Sequence, residues 1–154
     1  MKALLLLILS AQLAWGSAYQ SLRDAYYQAA QSEEGMEVFQ EEIDKWQQED
    51  VLKSGYEAMY FFLKAKYSWN PYAKLSYFYD GKDLLEEAIE SDQDNLELRF
   101  LRLAIQDNLP EILNYNQEIE ADRTFLNQHI GACADQDLKQ RIEEYLNAVT
   151  ANLK

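Results

Sequence analysis

Asp135-Gln-Asp-Leu138-Lys-Gln-Arg-Ile142-Glu-Glu-Tyr145-Leu146-Asn-Ala-Val149-Thr-Ala-Asn-Leu153 carries its apolar residues at steps of three and four, with charged residues between them. That spacing is one stripe of an amphipathic helix. The same rhythm runs backward through the chain. Leu22, Ala25, Ala29, Ser32, Met36, Phe39, Ile43 and Trp46 mark a first helix in which Gly35 kinks the run without ending it. A second covers about 51–69 and stops at Asn70-Pro71, where Asn caps and Pro opens the next. A third runs over 71–91 with a bend or break at Asp80-Gly81. Asp94 with Glu97 marks a fourth through Gln106, and a fifth spans about 116–130, closed by Gly131. No β pattern competes. The fold class is all-α, about six helices in antiparallel hairpins, as a helical bundle or a short helical array.

The chain has 154 residues, 48% of them apolar and 13% aromatic, enough for one core. Its net charge of −13 excludes nucleic acid as a partner, since phosphate affinity needs excess Lys and Arg. Met1-Lys2, the apolar run Ala3 to Leu9 and the small residues Ala14 to Ala18 form the three-part pattern of a secretory signal peptide. The run is too short for a membrane span, which takes about twenty residues. Cleavage after Gly16 or Ala18 is expected, leaving 19–154 as a single helical domain with no transmembrane segment. The expected location is the periplasm or the exterior. Cys133 is the one cysteine, so no internal disulfide braces the fold, and a helix-to-helix turn is its expected place.

Leu84 to Leu98, with Gly81 and Ala88 seven apart, resembles the second helix and turn of a tetratricopeptide repeat. The resemblance implies tight pairing of two helices over about 81–98. Gln93 stands where that repeat has Pro, and no second copy follows. Arg99 to Phe125, with Asn108-Leu109-Pro110, Tyr115 and Asp122, is similar to exported helical proteins of Bacteroidota-type bacteria, a similarity that implies no activity.

Three constellations carry candidate chemistry. Asn95, Arg99, Arg102 and Gln106 fall on one stripe, and Asp122 projects from the apolar face of the following helix. Burying Asp122 alone is costly, so a structural ion pair with Arg99 or Arg102 is expected. The sharper alternative makes Arg99 and Arg102 an anion or partner contact. Ten aromatics crowd Tyr56 to Tyr79; most belong in a core, with Trp69 and Tyr72 at the turn as exposed contacts. His129 and Cys133 are too few for a zinc site, and no catalytic residue or cofactor is indicated. The sequence therefore suggests an exported, non-catalytic module binding a protein or small ligand. A structural accessory subunit of an envelope complex is the alternative, ahead of an enzyme.

Overall fold

The computed structural model describes residues 19–46 and 50–152, so the expected signal peptide lies outside the described residues. Among the described residues seven α-helices follow in order: α1 (19–31), α2 (Met36–Asp44), α3 (Val51–Tyr67), α4 (Pro71–Ser91), α5 (Leu96–Gln106), α6 (Ile119–His129) and α7 (Gln136–Asn152). No strand occurs among the described residues.

The expected first helix is two. Ser32 takes an extended conformation, Glu33–Gly35 form a 3-10 turn, and α2 doubles back over α1. A Cβ on Gly35 would lie 2.7 Å from the Ala29 amide nitrogen and 2.8 Å from its Cα. Glycine is thus needed for backbone-to-backbone approach, and the chain turns where a kink was expected. The apolar rhythm survives the break because Ala29, Phe39 and Ile43 enter the same core. Phe39 packs on Tyr26 and Tyr56 at ring separations of 5.5 and 6.2 Å.

α3 lies parallel to α1, tied near one end by the Tyr19 hydroxyl donating to Asp50 and near the other by the Tyr67 hydroxyl donating to the Ala29 carbonyl. Asn70 caps α4, its side chain accepting from the Tyr72 and Ala73 amides, and Pro71 occupies the first turn. α4 runs unbroken through Asp80-Gly81, against the expected bend. There a Gly81 Cβ would stand 3.0 Å from the Ala58 carbonyl oxygen and 3.2 Å from the Phe61 Cβ. The glycine serves close packing of α3 on α4, and the helical hydrogen bonds carry on past it. Gly55 of α3 similarly leaves room for the Leu98 methyl of α5.

α5 is capped by Asn95, whose side chain accepts from the Leu98 amide, one residue later than Asp94. After α5 a second 3-10 turn, Glu111–Leu113, ends on Asn114 at φ 47°, a left-handed position. α6 closes by tightening into a 3-10 turn, Ile130–Ala132, and not by a glycine cap; Gly131 lacks a positive φ. Cys133 follows it, half-buried, before Asp135 accepts from the Leu138 amide at the start of α7. One core gathers α1 to α5 with Tyr115; a second joins Leu103 of α5 to Leu126, Leu138 and Ile142.

Candidate functional site

α5 shows why the site forms where it does. Leu98 and Leu101 enter the first core and Leu103 the second, while Phe100, Ala104 and Ile105 face a trough of about 1450 Å³. That exceeds the ~300–1,000 Å³ of ordinary ligand pockets. The other walls repeat the helical step: Tyr26, Tyr27 and Ala30 on α1; Met59, Phe62 and Leu63 on α3; Lys74, Leu75 and Phe78 on α4. α7 contributes Leu138, Arg141 and Tyr145, and Leu109, Pro110 and Ile112 come from the loop after α5. Ile112 is 91% exposed. An apolar floor under polar rims is the arrangement that holds a ligand by area and orients it by a few charges.

Two buried ionic networks involve α5; one of them, centred on Arg23 and Glu97, lines the trough, and the other, centred on Asp122, does not. Asp122, 0% exposed, receives Arg102 as a fork, Nε to Oδ2 at 2.7 Å and Nη2 to Oδ1 at 2.8 Å. Arg99 reaches the same carboxylate at 2.9 Å, so both arginines meet it and neither has to be chosen. Arg102 also donates to Glu86 at 2.7 Å, and the Tyr115 hydroxyl donates to the other Glu86 oxygen. Burial alone would lower the Arg102 pKa, but the hydrogen bonds and charge of Asp122 outweigh it and raise it further. Burial, reinforced by Glu86, holds the Tyr115 phenol well above its usual range. The Arg99 guanidinium lies 4.6 Å over the Phe125 ring. As an anion site the two arginines are already occupied by the chain's own carboxylates.

The second network is one that sequence reasoning missed. Arg23, 4% exposed, forks onto Glu97 with two contacts of 2.7 Å and reaches Asp135 and Asp137 at 2.9 Å each. The Tyr56 hydroxyl donates to Glu97 at 2.5 Å. Arg141 adds bonds to Asp137 and Asp24. Burial pushes the Tyr56 phenol far up, with the Glu97 charge adding to it. Glu97 read as a capping residue because it stands three after Asp94. The available signal was Arg23, which sits three before Tyr26 and seven before Ala30 on a face that otherwise packs.

Trp69 and Tyr72 are 98% and 86% exposed at the α3–α4 turn. Tyr79 and Leu75 continue that exposed face along α4. A smaller hollow by Tyr60, Tyr67 and Tyr77 already has a cation at its rings, Lys64 Nζ standing 4.2 Å from the Tyr77 centroid. His129 stacks on Phe125 at 4.2 Å and its Nδ1 pairs with the Phe125 carbonyl; the Cys133 thiol donates to the Asp135 carbonyl. Burial raises the Cys133 thiol, which lowers its reactivity. Among the described residues no group of three metal-ligating side chains converges, and no helix is long and apolar enough to cross a membrane.

No protein-family model, curated protein or solved structure matches this chain.

Proposed function

We propose that this chain is an exported, non-catalytic binding module whose working surface is the trough between α1, α3, α4, α5 and α7. The observation that supports it is the trough itself: five helices border one shared space of about 1450 Å³, with α3, α4 and α5 supplying most of its apolar lining and α1 and α7 most of its charged lining. A purely structural bundle gains most by closing such stripes on one another. The test is titration with an apolar fluorescent dye, anilinonaphthalene sulfonate, against the chain and against Ala104→Trp, which places an indole on the floor. Saturable binding near one dye per chain, lost in Ala104→Trp while near-ultraviolet dichroism persists, is expected. Dye uptake equal in both proteins, or none in either, refutes the reading.

Export rests on the pattern of residues 2–18 and is tested by the N-terminal sequence of protein recovered from the envelope fraction. A second reading, an accessory subunit of an envelope complex, is favoured by the exposed Trp69 and Tyr72 and the acidic surface. Its mark is co-fractionation with a membrane assembly that Trp69→Ala with Tyr72→Ala abolishes while dye binding stays intact.

A further inference from the structure

Taking the trough as the working surface, we propose that its occupant is an amphipathic α-helix of a partner protein, about three turns long, with acidic residues along one flank and basic residues along the other.

Size comes first. The α5 side of the trough runs from Glu97 to Asn108 in the turn just after that helix, eleven residue steps, or about 17 Å at 1.5 Å per residue. A helix of that length and about 10 Å across displaces on the order of 1,300 Å³, close to the space present. An extended peptide rises about 3.3 Å per residue, so only about five residues would lie along the same floor and leave much of it wet. Main-chain chemistry agrees. Every regular element lining the trough is a helix, whose amides and carbonyls are spent internally, so there is no strand edge to receive an extended peptide. A helix brings its own hydrogen bonds and asks the trough only for side-chain contacts.

Charge selects the kind of helix. The chain carries 14 Lys and Arg against 27 Asp and Glu, yet the trough lining is balanced. Its bases are Arg23, Lys66, Lys74 and Arg141. Its acids are Asp24, Glu97, Asp137 and Glu144. Arg23 is spent on Glu97 and Asp137, and Arg141 on Asp24 and Asp137. Among the described residues, what is left for a visitor is Lys66 and Lys74 on α3 and α4, and Glu144 on α7, whose carboxylate accepts from the neutral Gln140. Lys66 keeps one bond to the Ala30 carbonyl and has donors to spare. A helix with an acidic flank toward α3 and α4 and a basic flank toward α7 answers both walls. A second copy of this chain is disfavoured, because it would bring a further −13 charges to the contact.

Three labelled synthetic helices of about fourteen residues test this by fluorescence anisotropy. The first has a Leu/Ile stripe with Glu on one flank and Lys on the other. The second has the same stripe with Lys on both flanks, and the third scrambles the first. The chain should bind the first roughly tenfold tighter than the third and about fivefold tighter than the second. Lys66→Glu with Lys74→Glu should reverse the preference between first and second, and Ala104→Trp should abolish both. Equal binding of first and third, or a preference untouched by the lysine reversals, overturns the proposal. Dye binding lost in Ala104→Trp, with no helix bound, refutes the helix and leaves the trough reading standing; absence of both refutes both. Sedimentation with phosphatidylcholine–phosphatidylglycerol vesicles that Ala104→Trp abolishes, with no helix bound, assigns the trough to lipid and likewise overturns it.

Discussion

Replacing Asp122 by Ala removes the carboxylate that neutralises one fully buried fork and one half-buried arginine. Arg102 loses contacts of 2.7 and 2.8 Å, and Arg99 loses one of 2.9 Å. Breaking a buried pair from one side costs about 3–5 kcal/mol, because the survivor is left charged in a poor solvent. Here Arg102 keeps Glu86 at 2.7 Å and has Glu118 at 3.9 Å, so the lower end, about 3 kcal/mol, applies. With a urea slope on the order of 1.5–2 kcal/mol/M, the midpoint should fall by about 1.5–2 M. Adding Arg102→Leu removes the stranded charge and should recover roughly half of the loss, since an apolar pair can match a buried ionic one. Elevated salt should leave the deficit nearly unchanged, because the pair is out of reach of screening ions. The assay is urea denaturation followed by far-ultraviolet dichroism on wild type, both single variants and the double. A coincident midpoint for Asp122→Ala and wild type refutes the reasoning, as does a double variant no more stable than Asp122→Ala.

Gly35→Ala should cost about 1–3 kcal/mol in the same melts, because its Cβ meets Ala29 backbone that cannot swing away, whereas Gly131→Ala, with nothing within 4 Å, should be neutral or slightly stabilising. Burial raises the phenols of Tyr19, Tyr26, Tyr56, Tyr115 and Tyr145, that of Tyr26 to about 12. Their contribution is whole below about pH 10 and is lost as pH rises above it, and the most deeply buried of them, Tyr56, should ionise only with unfolding. Absorbance at 295 nm should therefore rise in two steps, the second coincident with loss of helix; one step near pH 10 with dichroism intact would contradict this. Asp137 is held below the usual carboxylate range: burial raises it, but bonds from Arg141 and Arg23 outweigh that. Its stabilising effect is present above about pH 4 and disappears as pH falls through the folded value. Asp137→Asn should thus be less stable at neutral pH by an amount that shrinks in acid, measured by melts from pH 7 downward.

The helices were legible where one residue decides between continuing and stopping. Asn70-Pro71 ends α3 and opens α4 for reasons local to those two residues, and the α7 stripe needs nothing but its own spacing. Glycine was the opposite. Gly35 reads as a kink, Gly81 as a bend or break and Gly131 as a helix end, but Gly81 lies mid-helix under another helix, a Cβ on Gly131 would meet nothing within 4 Å, and Gly35 sits where the chain turns back on α1. What separates them is a neighbour twenty or more residues away or a fold back on the preceding turn, which local pattern does not carry. The same holds for the ionic clusters. Asp122 stood out because its own helix face is apolar around it. Arg23 and Glu97, 74 positions apart, each have an ordinary local role, as a helix flank and as a first-turn acid.

The two networks also explain how an eleven-residue helix comes to leave an apolar stripe open. α5 sends Leu98 and Leu101 into one core, Leu103 into the other, and Phe100 with Ala104 into the trough. Apolar residues alone would fit several rotations of α5, because leucines stand on more than one side of it. Turning the helix by one residue step, about 100°, keeps grease against grease, but it carries Glu97 away from Arg23 and Arg102 away from Asp122. Each separation leaves a buried charge unmatched, at several kcal/mol. Polar pairs of this kind therefore add little net stability and much selectivity, since they penalise the neighbouring rotations more than they reward the native one. The rotation they select is the one in which Phe100, Ala104 and Ile105 line the trough, with Phe100 edge-on to Tyr145 and Ile105 resting on the first core, so residues that look purely structural fix which face of α5 the trough receives.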